Sequence, residues 1–76
     1  MVQDVPIRGQ SIKLGQLLKL AAVINSGAEV KAFLSSVPVW VNGDPETRRG
    51  RQLIAGDVVR VAERELRVVQ TSADPV

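Results

Sequence analysis

Two hydrophobic periods divide the chain near residue 37. Leu14, Leu17, Leu18 and Ala21 fall at i, i+3, i+4 and i+7, which places them along one face of a helix with Lys19 turned away. Gly15 weakens that helix by up to about 1 kcal/mol relative to alanine, so it is short and depends on packing. Asn25-Ser26-Gly27 interrupts the pattern, and Ser26 followed three residues later by Glu29 spells a capping box. Val30, Phe33, Leu34 and Val37 then repeat the helical spacing, with Lys31 and Ser35 on the other side, until Pro38 stops it. The spacing predicts two helices, about 14–24 and 27–36.

From residue 37 the period is two. Val37, Val39 and Val41 face one way, and Asn42-Gly43 is a strong hairpin signal because both residues tolerate positive φ. Leu53-Ile54 forms an apolar anchor, and Ala55-Gly56-Asp57 is a turn leading into a strand over Val58–Ala62. Glu63-Arg64-Glu65 separates that strand from Leu66-Arg67-Val68-Val69, with which it forms a hairpin. Ahead of the helices, after a mobile start, the apolar pieces of Val5–Leu14 are broken by Pro6 and Gly9 and suit an edge strand or two bent strands. Thr71–Val76 is expected to fray. The resulting fold class is α+β: two short helices packed on a small, mostly antiparallel sheet in one domain, 1–76, with its core at about 12–69. Leu17, Leu18, Ala21, Val30, Phe33, Leu34, Val39, Val41, Val59 and Val61 are the expected core.

Composition limits the chemistry. A chain of 76 residues buries only about 60% of its unfolded surface and has little room for a deep cleft. Trp40 and Phe33 are its only aromatics, so base stacking on an aromatic platform is not expected as the main binding mode. With no cysteine and no histidine there is no disulfide, no thiolate zinc site and no imidazole base. Asp44, Glu46 and Asp57 lie near arginines or in turns, where surface ion pairs and turn chemistry explain them better than a poised acid and base. No catalysis, cofactor or metal is expected. Neither a membrane-length apolar run nor a signal pattern occurs, which suggests a soluble, cytoplasmic protein.

Charge changes the picture more. The net charge is only +2, but Glu29 alone opposes Arg8, Lys13, Lys19 and Lys31 between residues 8 and 31. Arg48, Arg49 and Arg51 then follow within four residues, beside the Asn42-Gly43 turn. Guanidinium groups are flat, permanently charged forks that suit phosphate and stack on bases, so a cluster held beside a hairpin makes a nucleic-acid grip; the bland alternative is a solvated charged loop.

The ordered set Leu17-Leu18-Lys19, Ser26-Gly27-Ala28-Glu29-Val30-Lys31, Val39-Trp40-Val41-Asn42-Gly43 and Gly56-Asp57-Val58-Val59 resembles the RNA-binding domain named for ribosomal protein S-four, or alpha-L motif, over roughly residues 12–69. Glu46-Thr47-Arg48-Arg49-Gly50-Arg51 is similar to the small stand-alone bacterial members. The resemblance implies a non-catalytic module that docks on structured RNA, whether ribosomal, transfer or small regulatory. As site residues it implies Lys31 on the second helix, Asn42 at the hairpin, and Arg48, Arg49 and Arg51 in the loop, with Lys19 secondary. Gly27 departs from the family pattern, which often has arginine after the serine, and Ser35-Ser36 replaces a frequent glycine. A monomer is expected. The other class of function is a protein-interaction adaptor that uses Trp40 and exposed strand edges, its arginines meeting an acidic partner.

Overall fold

The computed structural model describes residues 2–71. In chain order these form β1 (Val2–Ile7), β2 (Ile12–Lys13), α1 (Leu14–Leu20), a 3-10 turn (Gly27–Glu29), α2 (Val30–Ser36), β3 (Val39–Val41), β4 (Asp44–Pro45), β5 (Gln52–Leu53), β6 (Val58–Val61) and β7 (Arg64–Gln70). Five strands form one sheet in the order β1-β7-β6-β3-β4, and β2 pairs with β5 in a second, two-stranded sheet. The β1–β7 pairing is parallel and the others are antiparallel, so the fold is α+β with a mostly antiparallel sheet.

One cluster of buried side chains unites helices and sheet. It contains nine of the ten expected core residues, together with Val5, Ile7, Leu14, Ile24, Leu53, Leu66 and Val68. Phe33 is the exception: it packs against the cluster only partly buried, as does Val37. The helical period had placed Phe33 inward, but α2 is a mere seven residues long, and Val30 and Leu34 are the residues it buries fully. Leu53 is fully buried whereas Ile54 is exposed, so only half of the expected anchor is one.

From Val2 onward the chain start is a strand, because β1 runs along β7 from Val2↔Glu65 to Ile7↔Gln70. Local pattern could not reveal this pairing, since its partner lies some sixty residues away. Fraying of 72–76 falls outside the described residues; Thr71 itself donates its N–H to the Ile7 carbonyl at 2.8 Å.

The first helix ends at Leu20, four residues before the expected end. Ala22 takes a left-handed conformation (φ 61°). Its N–H bonds the Lys19 carbonyl at 3.0 Å, and that of Val23 bonds the Leu18 carbonyl at 2.9 Å, a Schellman closure. The second helical segment matches its expected span, entered through the 3-10 turn. Its capping box does not form: the Ser26 hydroxyl donates to the Glu29 carboxylate at 3.3 Å and makes no bond to the backbone. Asn42 and Gly43 have φ of 51° and 88°, as a type I′ hairpin turn requires. The β6–β7 turn is Ala62-Glu63, with Arg64 and Glu65 already in β7 and not in the connection.

Candidate nucleic-acid interface

The segment between β4 and β5, residues 46–51, carries the three arginines and is fastened at both ends. The Glu46 N–H donates to the Val39 carbonyl at 2.8 Å. At the other end, β5 pairs with β2, directly before α1. Helix α1 has no side-chain N-cap; instead the Leu14 and Gly15 N–H groups donate to the carbonyls of Arg51 and Arg49, at 2.8 and 3.0 Å. The arginine loop thus satisfies orphan donors at the start of this helix. Gly15 permits the approach, because a Cβ there would stand 3.1 Å from Val30 Cγ1 and 3.4 Å from Arg49 Cβ.

Glu46 organises the loop. Only 7% exposed, it accepts hydrogen bonds from the N–H groups of Thr47 (3.1 Å) and Arg48 (3.0 Å). It also accepts from Nε and Nη2 of Arg48 (3.1 and 3.3 Å) and from Nη1 of Arg51 (2.8 Å). The Arg48 side-chain bonds, then the Arg48 N–H, then Arg51, hold its carboxyl down at about 2, against the opposing effect of burial. The same contact raises the Arg48 pKa. Among the three acids expected in surface pairs or turns, Glu46 is therefore a buried hub, because two guanidinium groups and two amides replace the water it loses. Asp57 meets the turn expectation, accepting the Ile54 N–H at 2.9 Å.

This hub separates the arginines by role. The Arg48 side chain is 76% exposed and that of Arg51 36%, and both are tied to Glu46. Arg49 is exposed and has no carboxylate partner among the described residues. It stands between two shallow concavities. One, of about 300 Å³, is lined by Lys13, Gly15, Gln16, Lys19, Gly27, Val30 and Arg49. The other, of about 380 Å³, is lined by Lys31, Leu34, Ser35, Thr47 and Arg49. Lys19, Lys31 and Arg49 thus share one surface made by the two helices and the loop. Lys13 and Gln16 join them, although neither is among the site residues that the family resemblance implied. Lys13, Gln16 and Lys19 are spaced three apart, a signal that gains meaning only once the loop is docked against them.

Asn42 lies at the β3–β4 turn with its amide occupied. Nδ2 donates to Asp57 at 3.0 Å, and Oδ1 accepts the Val58 N–H at 2.9 Å, which clasps one turn to the next. Trp40 alternates with the buried Val39 and Val41, so it stands on the sheet face away from the core, half-buried, with the Arg60 guanidinium 5.8 Å from its ring centroid. Arg64 donates to the Ala21 carbonyl at 2.9 Å, and Arg67 pairs with Asp4 at 2.9 Å. These sheet arginines are engaged in structure.

A family model described as the S4 domain matches residues 5–69. The chain belongs to the S4 domain family. A relative, the probable ribosome maturation protein RlbA of Bacillus subtilis (strain 168), is 51% identical to this S4 protein over 61 residues, spanning 80% of this chain and 86% of the relative. The family resemblance read from the motif order is thereby shown. Among the described residues no helix is long and apolar enough to cross a membrane.

Proposed function

We propose that this S4 protein is a non-catalytic RNA-binding module that docks on structured RNA through the surface made by α1, α2 and the arginine loop. The observation that carries the reading is the convergence of Lys19, Lys31 and Arg49 on two adjoining concavities, with Arg48 projecting from the same loop. Such a surface recognises a folded backbone by charge and shape. Ribosomal RNA is the favoured target, and the cytoplasm the place of action, on the strength of the ribosome-maturation relative. Arg51 contributes through the geometry of the loop, and Asn42 through the turn it clasps; Asn42 reaches RNA by exchanging the bonds it now makes. The adaptor reading lacks a matching convergence of cations: the concavity beside Trp40 is lined by one arginine, Arg60, together with Glu65.

Changing Arg48, Arg49 and Arg51 alone to glutamine would leave the buried Glu46 carboxylate without its cationic partners, so the clean variant also carries Glu46→Gln. This quadruple variant should stay folded and bind structured RNA far more weakly. If about four phosphates are contacted, the wild-type salt slope of log affinity is on the order of −3, and it should flatten in the variant. Titration of a structured RNA and an unstructured strand of equal length measures both effects. Unchanged affinity and slope in the folded variant would show that the loop is not the principal contact.

A further inference from the structure

The concavity beside Arg49 differs from its neighbour across Arg49 in having two glycines in its lining. Gly15 and Gly27 line it with Val30 between them. Gly15 is closed by its neighbours, but a Cβ on Gly27 would meet nothing within 4 Å, so the absent side chain leaves open space at the rim. At about 300 Å³ the hollow lies at the small end of the range for pockets that hold compact organic ligands. Lys13, Lys19 and Arg49, the last with no carboxylate partner among the described residues, line it, and the exposed Gln16 brings an amide that can both donate and accept.

We propose that this hollow receives one unpaired nucleotide, a bulged or flipped base, from the structured RNA. Val30 and the open face of Gly27 form the seat for the ring. The Arg49 guanidinium is the flat surface available for stacking in a site with no aromatic side chain, and Gln16 meets the polar edge of the base. Lys13 and Lys19 take the flanking phosphates. The second concavity, across Arg49, lies beside Lys31 and continues the path of the backbone. An unbroken duplex presents its bases stacked and paired and cannot fill the hollow, so occupancy favours RNA with a local irregularity.

This inference rests on the RNA-binding reading, and the test separates the two. Two hairpins of identical stem, one fully paired and one with a single-nucleotide bulge, are titrated by fluorescence anisotropy at fixed salt. Wild-type protein should prefer the bulged hairpin by on the order of tenfold, as one stacked base allows. Gly27→Leu, at a position with room for a side chain, should abolish the preference by lowering affinity for the bulged hairpin more than for the paired one, in a protein whose Tm shows that it stays folded. Arg49→Lys keeps the charge but loses the plane, and should likewise lose the preference without changing the salt slope. Equal wild-type affinity for the two hairpins overturns this inference and leaves the RNA-binding reading standing, as does a preference that survives in both variants. Binding to neither hairpin overturns both.

Discussion

At the residue scale, Glu46 reverses what its sequence position suggests. An acid among arginines reads as a solvated counter-charge, yet its carboxylate is buried and takes five hydrogen bonds within its own loop. Its carboxyl titrates at about 2 when folded, against 4.5 ordinarily. A depressed folded pKa gives stability that is fully present above about pH 4.5 and is lost as pH falls toward 2. Because Arg48 is largely exposed and screened, the contribution is about 1–3 kcal/mol, not the full value of the shift. Glu46→Gln should lose that amount at pH 7 in denaturant titrations, and the gap between wild type and variant should close in the acid range. The substitution also makes the loop more positive. If charge alone governed RNA affinity, binding would tighten; if loop geometry governs, it should weaken despite the added charge. A second residue-scale prediction concerns Ala22, held at φ 61°. Ala22→Gly removes the Cβ penalty of the left-handed conformation and should raise stability by about 0.5–1 kcal/mol, read as a Tm increase of several degrees.

At the scale of elements, the arginine loop and α1 form one unit, because the loop's carbonyls cap the helix and the helix seats the loop. Gly15→Ala introduces a Cβ that crowds both Val30 and Arg49. The intrinsic helix preference favours alanine by up to about 1 kcal/mol, but the loop must retreat to admit it. We expect RNA affinity to fall several-fold with little change in Tm, a combination that a purely stabilising helix substitution would not produce. On α2, Phe33 is only partly buried, so Phe33→Ala should cost about 1–3 kcal/mol, less than the 3–5 kcal/mol of a fully buried aromatic. A chemical denaturation midpoint measures it.

At the scale of the whole molecule, the sheet separates two surfaces. Trp40 and Arg60 occupy the outward positions of paired strands, whereas the strands' buried residues join the helices in the core. The proposed RNA surface belongs to the helices and the loop docked on α1. Trp40→Ala should therefore lower stability by about 1–2 kcal/mol for a half-buried ring, and leave affinity for structured RNA within twofold of wild type. A large loss of affinity in a folded Trp40→Ala protein would place RNA on the other face.

The sequence alone determined the elements whose signals are local. The apolar spacings at residues 14–21 and 30–37 specify helices, Asn42-Gly43 specifies a turn that needs two positive φ values, and the order of these motifs specifies the family. Where the local signal was silent or ambiguous, tertiary structure decided. The parallel seat of β1, the early stop of α1 at a left-handed alanine and the partial exposure of Phe33 all depend on partners distant in sequence or on the few turns each helix contributes. The candidate site divides in the same way. A cluster of three arginines was legible as charge, but which of them is free to meet a ligand depends on the reach of Glu46 to Arg48 and Arg51. Likewise, that Lys13, Gln16 and Gly27 belong beside Arg49 follows only from the docking of the loop on α1, since hydrogen bonds and van der Waals contacts join residues that the chain keeps more than twenty positions apart.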